Sequence, residues 1–248
     1  VKEMTVAQRN QLLEEMTVEV ADLVLGDNDA HGRQLSRDQI RSRDNIFPFA
    51  RSIAFIEREF GRDRSTLDLP TDVELDRRAA IGAGLSRPEL AVLSAWVKMY
   101  VKRELLKGDP KQIPGYEALL RTYFPKVVQE RFPVYIQGHM LGNEIAVTVA
   151  ITRMMADAGA TFFPMVIEST GCSVSEITSA YRKAARIARS HEVRAELENL
   201  SASVALDALY RAWIEVDQGA REVAVYWLSS SGQIPADEAI EEMRLTTE

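Results

Sequence analysis

Apolar residues recur along this chain at helical spacing, and helix-start signals punctuate them. The clearest stripe is Leu90, Leu93, Trp96/Val97, Tyr100/Val101 and Leu105, a period near 3.6 residues. Gly84-Leu85-Ser86-Arg87-Pro88-Glu89 precedes it. Ser86 and Glu89 have capping-box spacing, and Pro88 falls in the first turn, where a missing N–H costs nothing. The spacing predicts a long core helix to about Lys107. Four more boxes are written into the chain: Thr5/Gln8, Ser36/Gln39, Thr71/Glu74 and Ser173/Glu176.

Taken in order, the first helix carries Leu12, Leu13, Met16, Val20, Leu23 and Val24, and Gly26-Asp27-Asn28-Asp29 predicts its end. Ser36 then opens a second helix with a break near Pro48. Phe49, Ile53, Phe55, Ile56 and Phe60 form its core face, and Gly61 stops it. A short charged helix from Thr71 ends at Gly82-Ala83-Gly84. Beyond the long helix, Gly108–Gly115 is a loop, and Gly138–Gly142 leads into a helix with Ile145, Val149, Ile151 and Met155. Phe162–Ile167 is a buried segment. The Ser173 helix is expected to reach about Glu198, and a last long helix to run from about Ser201 to Leu228. Ser229-Ser230-Ser231-Gly232 reads as a linker before a terminal helix at Pro235. No strand alternation occurs. The fold class is therefore all-α, an irregular array of about nine or more helices without a sheet. The clearest internal boundary divides residues 1–82 from 83–248.

Composition narrows the classes. The 248 residues are 46% hydrophobic and 27% charged, an ordinary globular balance. A net charge of −7 argues against nucleic acid or an anionic membrane as partner. No apolar run approaches a membrane span. One cysteine, Cys172, rules out an internal disulfide and suits a reducing cytoplasm. The chain lacks a signal-peptide pattern, and its start at Val1 rather than methionine fits a piece of a longer polypeptide and equally a removed tag or unresolved preceding residues.

No residue set specifies a chemistry. Asp27, Asp29, His31, Gly32 and Asp38 occupy calcium-loop positions, but His31 replaces an oxygen ligand and Asp38 is too short for the closing glutamate; a polar interhelix loop is favoured. No glutamate lies three residues before His31, His139 or His191, so di-iron ligand pairs are missing, and His139 reads as a helix-entry residue. Gly82-Ala83-Gly84 lacks the preceding strand of a dinucleotide fingerprint. Gly138 and Gly142 are spaced for close helix packing. Arg182, Lys183, Arg186 and Arg189 form a basic patch, either a solvated face or a docking surface for an acidic domain. Cys172 lies before a helix N-terminus, a setting that can lower a thiol pKa, although an inert thiol is favoured. The expected catalytic, cofactor-binding and metal residues are therefore none.

The run Gly84–Leu93, read as Gly-Leu-Ser-Arg-Pro-Glu-Leu-Ala-Val-Leu, resembles a signature of the large bacterial NAD-specific glutamate dehydrogenases. Supporting segments follow in the same order, among them Gln8–Leu13, Leu69-Pro70, Tyr123-Phe124-Pro125, His139, Glu144-Ile145, Thr161-Phe162, Thr170-Gly171 and Trp227-Leu228. The chain departs from that pattern at Met155-Ala156-Asp157, where the family tends to have Val-Asn-Arg, and near Ser201, where an aspartate is lost. The resemblance implies the C-terminal helical region of a very long enzyme that converts L-glutamate, NAD⁺ and water to 2-oxoglutarate, ammonium and NADH. It implies catalytic and NAD-binding groups upstream, with residues 1–82 following the dinucleotide domain. It also implies a fragment inactive alone, a structural or docking role, a cytoplasmic homo-oligomer, and the upstream domains of the same chain as partners. The competing reading is a free-standing helical interaction protein.

Overall fold

The computed structural model describes residues 4–200, 203–229, 234–236 and 239–240. Among these there are twelve α-helices and no strand. They are α1 (Val6–Asp44), α2 (Phe47–Phe60), α3 (Asp72–Ala80), α4 (Arg87–Lys107), α5 (Tyr116–Thr122), α6 (Lys126–Arg131), α7 (Pro133–Gln137), α8 (Gly142–Ala158), α9 (Phe162–Thr170), α10 (Val174–Ile187), α11 (Ser190–Asn199) and α12 (Leu206–Ser229). The predicted linker at Ser230–Gly232 and most of the predicted terminal helix lie outside the described residues, as does Ser201.

The core forms around α4. Leu90, Leu93, Val97, Val101 and Leu105 are buried on one face, packed by α1, α2, α8 and α10. The capping box is present, with Ser86 and Glu89 each accepting from the other's backbone N–H. Phe55 meets Tyr100 edge-on at 4.9 Å, and Phe60 meets Trp96 at 4.7 Å. α8 lies against α4 and α5, while α10 and α12 run along each other. Gly142 permits the α5–α8 approach, because a Cβ there would stand 3.3 Å from the Tyr116 hydroxyl. One apolar core runs continuously from Leu35 to Ala224.

Two sequence expectations are corrected. The predicted turn at Gly26–Asp29 and the cap at Ser36 are absent: α1 is one helix of 39 residues, roughly 58 Å long. Helix propagation needs one bond per residue whereas re-nucleation is costly, so poor formers flanked by helix stay helical. The Ser36 hydroxyl donates to the Gly32 carbonyl within the same helix. The Ser173 helix does not reach Glu198 unbroken. It stops at Ile187, and Arg189 turns the chain at φ 48° before α11 begins. The break near Pro48 is present: Asn45 accepts from the Phe47 N–H at 3.1 Å, and Pro48 sits in the first turn of α2.

Only the C-terminal part of α1 is buried. Residues 21–29 are exposed on every side, and Val6, Leu13, Val20, Leu23, Val24 and Leu25 are exposed along its first half. Two contacts tie this half to α6: Arg131 pairs with Glu15 at 2.7 Å, and Glu19 accepts from the Val127 N–H. No helix among the described residues is long and apolar enough by itself to cross a membrane.

Candidate functional site

Two polar constellations fix α1 onto the body. The first is the run 84–89. Gly84 passes so close to α1 that a Cβ would lie 2.3 Å from Ser42 Oγ and 2.7 Å from the Arg43 backbone N. The approach lets the Leu85 N–H donate to Ser42 Oγ at 3.0 Å, while that hydroxyl donates to the Gln39 carbonyl. Leu85 is buried beneath it. Arg87 donates back to the Ser36 hydroxyl at 2.8 Å and the Gly32 carbonyl at 3.1 Å. Glu89 takes a bidentate pair from Arg78 of α3 at 2.7 and 3.0 Å. Burial pushes the Glu89 carboxyl up, but the Arg78 pair and the Ser86 bonds outweigh it and hold the group below its ordinary value. Each side chain of the motif is thus a fastener between α1, α3 and α4. A further buried link, Gln34 Nε2 to Ser94 Oγ at 2.9 Å, continues the same seam.

The second constellation is buried where α1, α8, α11 and α12 converge. Asp217 is fully buried on α12. It meets Arg41 at 3.1 Å, Arg194 at 3.3 Å and Arg37 at 3.9 Å. Arg41 also holds Asp38 at 3.0 Å, and Asp38 accepts from the Ala160 N–H at 3.1 Å. Arg37 donates to the Ala156 carbonyl, and Arg194 grips both carboxylate oxygens of Asp157. Arg33 and Arg37 both stack on the Trp213 ring, at 5.3 and 5.2 Å, a favourable cation–π arrangement. Burial pushes the Asp217 carboxyl up to about 6, against the pull of Arg37, Arg41 and Arg194. Burial also raises the Tyr181 hydroxyl well above its ordinary value. For Arg194, burial works downward, but the Asp157 bonds prevail and raise it. The network locks four helices together.

The break before α11 now has a purpose. The left-handed Arg189 redirects the chain so that Arg194 can reach Asp157 and Asp217. Asp157 of the Met155-Ala156-Asp157 run is the residue that Arg194 clamps. The network was missed in the sequence, although one signal was there. Leu209, Trp213, Asp217, Ala220 and Ala224 share the buried stripe of α12, so Asp217 is a charge on an apolar face.

The other candidate residues are not brought together. Asp27, Asp29, His31, Gly32 and Asp38 ride on continuous helix, which scatters their side chains; Asp29 pairs with Arg33 at 2.6 Å and Asp38 with Arg41. A calcium loop is therefore excluded at this place by the helix itself. Among the described residues no three His, Cys, Asp or Glu side chains could share a metal. His139 Nδ1 accepts from the Leu141 N–H at 3.2 Å and its ring packs on Phe124 at 5.6 Å, a turn-closing role. The basic patch divides. Arg182 donates to the Pro114 carbonyl and Lys183 to the Pro235 carbonyl, Arg186 is exposed, and Arg189 makes the turn. Cys172 is half-buried with its Sγ 3.8 Å from the Leu228 carbonyl.

The sequence matches the family model described as "Glutamate dehydrogenase, C-terminal" over residues 82–247. An NAD-specific glutamate dehydrogenase of Pseudomonas aeruginosa is 37% identical over 182 residues, covering 72% of this chain and 11% of that protein. Proteins of the same description from Mycobacterium tuberculosis and Halomonas elongata are each 34% identical, over 174 and 179 residues. These cover 70% and 72% of this chain and 11% of each relative. The chain thus spans about a tenth of the length of the relatives it matches. A helical array whose α1–α4 joint is built from the signature run, matched by that model over most of its length, belongs to the glutamate dehydrogenase C-terminal family.

Proposed function

We propose that the chain is the C-terminal helical region of an NAD-dependent glutamate dehydrogenase. In this reading the whole enzyme oxidises L-glutamate to 2-oxoglutarate and ammonium while reducing NAD⁺. The glutamate- and NAD-binding groups belong to the preceding part of the polypeptide, and this region supplies no catalytic residue. Its work is to complete the helical packing beside the dinucleotide domain. Residues 1–82 are the connecting segment and 83–248 the C-terminal domain proper. The enzyme is taken to act as a cytoplasmic homo-oligomer.

The observation that carries the docking role is the first half of α1. An exposed helix bearing Val20, Leu23, Val24 and Leu25 leaves apolar area in water, a costly arrangement unless another surface covers it. Tyr123, Val134, Tyr135, Met140 and Leu141 are exposed as well, Met140 at 96%. They lie on or between α5, α6, α7 and α8, the part of the body that α1 reaches through α6. A chain covering 11% of its relatives supports a cover made of the remaining polypeptide.

The test has two parts. The isolated chain is assayed for glutamate-dependent NADH production, with none expected. In the whole enzyme, Leu23→Glu with Leu25→Glu is expected to lower assembled enzyme and turnover together while the isolated chain keeps its fold. Wild-type assembly and turnover in that double variant would refute the docking role, and turnover by the isolated chain would refute the division of labour.

A further inference from the structure

We infer that the cleft between the Lys111–Arg121 segment and α7 is a binding site for a small organic anion, a carboxylate or phosphate ester with an apolar body. The cleft has a volume of about 930 Å³ and is unconnected with either constellation that fixes α1. Its lining is two-sided in character. Ile113, Leu120 and Ile136 give an apolar floor, while Lys111 and Arg121 contribute exposed cations at the wall against one carboxylate, Glu117. The cleft is half open to solvent and as polar as it is apolar; a concave surface that sets apolar side chains beside a few placed charges suits a ligand with both characters.

A third cation stands behind the wall. Pro114 and Gly115 line the cleft, and Arg182 Nε donates to the Pro114 carbonyl at 2.8 Å. Gly115 adopts φ +75°, and a Cβ there would come within 3.1 Å of Arg182 Nη2. The bare glycine backbone therefore leaves the Arg182 guanidinium directly behind the cleft wall, where a side chain would crowd it. Among the described residues Arg182 has a neutral acceptor and no carboxylate partner. Arg153 lies near enough for the two charges to repel, and its own acceptor is the neutral Thr122 hydroxyl at 2.9 Å. Burial, with the charge of Arg153, brings the Arg182 guanidinium down to about 10. A part-buried guanidinium without a counter-charge is costly, and an anion seated beside Gly115 would offset that cost. Arg is also the side chain best matched to bidentate carboxylate or phosphate recognition.

The experiment uses the chain itself, with sodium benzoate as the probe for an anion carrying an apolar body. Inorganic phosphate probes the charge alone and benzyl alcohol the apolar body alone, all at constant ionic strength with chloride. Amide chemical shifts are followed during each titration. Benzoate is expected to give saturable shifts confined to residues 111–121 and 136–137, phosphate weaker shifts at the same amides, and benzyl alcohol none that saturate. Arg182→Gln, and separately Lys111→Gln with Arg121→Gln on the exposed wall, are each expected to weaken benzoate at least fivefold. Absence of saturable shifts there, equal binding of benzyl alcohol, or unchanged affinity in either folded variant would overturn the assignment. Should Arg182→Gln fail to fold, the exposed pair decides it.

Discussion

Gly84→Ala is the sharpest probe of the joint between α1 and α4. The new methyl carbon would stand 2.3 Å from Ser42 Oγ, 2.7 Å from the Arg43 nitrogen and 2.9 Å from the Ser42 carbonyl carbon. Ordinary carbon contacts need about 3.5–4.0 Å, so the loop must retreat by roughly 1 Å. Two of the three obstacles are backbone of a helix, which cannot swing aside. Retreat breaks the 3.0 Å bond from the Leu85 N–H to Ser42 Oγ. Overpacking costs about 1–3 kcal/mol, and a buried donor left unmet about 1–3 kcal/mol more. Reduced freedom of the unfolded chain returns about 0.4–1 kcal/mol. The net expectation is a loss of about 3 kcal/mol, read by urea unfolding as a lower midpoint. At roughly 2–4 °C per kcal/mol for a chain of this size, the melting temperature falls by about 9 °C. Gly26→Ala is the matched control, since nothing lies within 4 Å of its Cβ position; there the helix gains about 0.5–1 kcal/mol. Equal stability of Gly84→Ala and the native chain, within about 0.5 kcal/mol of each other by the precision of such series, would refute the close-approach reasoning. So would full recovery in Gly84→Ala with Ser42→Ala, because the backbone obstacles remain in that pair.

Further outcomes follow from the polar locks. Arg194→Met strands Asp157 and takes one of three arginines from Asp217, and is expected to cost about 3–5 kcal/mol, measured by chemical denaturation near neutral pH. The folded-state carboxyl of Asp217 is raised from 3.8 to about 6, so its contribution is full below about pH 4 and is lost as pH rises through about 6. At about 1.4 kcal/mol per unit that component is about 3 kcal/mol. The stability difference between the native chain and Asp217→Asn should therefore shift against the native chain by about that amount between pH 4 and 7, and a flat difference would contradict it. Glu89→Gln loses the charge that pairs with Arg78 while leaving a weaker cap; a fall of about 1–3 kcal/mol is expected in thermal unfolding.

Much of the helical inventory was legible because the signals were local. The boxes at Thr5, Ser86 and Ser173 close as their spacing requires, and the α4 stripe is the buried face. Where the sequence misled, a competing interaction decided. Ser36 with Gln39 has cap spacing, yet Ser36 back-bonds within α1, and Arg87 from α4 meets its hydroxyl from outside. Gly26–Asp29 are turn formers, but nothing in their immediate spacing says that helix on both sides will carry through them. Arg189 gave no warning of its left-handed turn, because the reason lies in Arg194's reach to carboxylates distant in the chain. The cleft was equally hidden. Pro114 and Gly115 were visible only as a loop, and Arg182 only as one of a run of cations.

The length of α1 has a mechanical meaning. From the point where it leaves the body, near Ala30, to Val6 the helix extends roughly 36 Å. It is a lever whose fulcrum is the seam at Gly84, Ser42 and Arg87. Val6 lies roughly 54 Å from Ser42 along the helix, so a tilt of about 5° at that seam carries the far end about 5 Å, the scale on which packed interfaces switch registers. Arg131 and Glu15 form a stay along the arm. In the docking proposed above, a surface seated on the tip would be linked through this one helix to the charged locks at its other end.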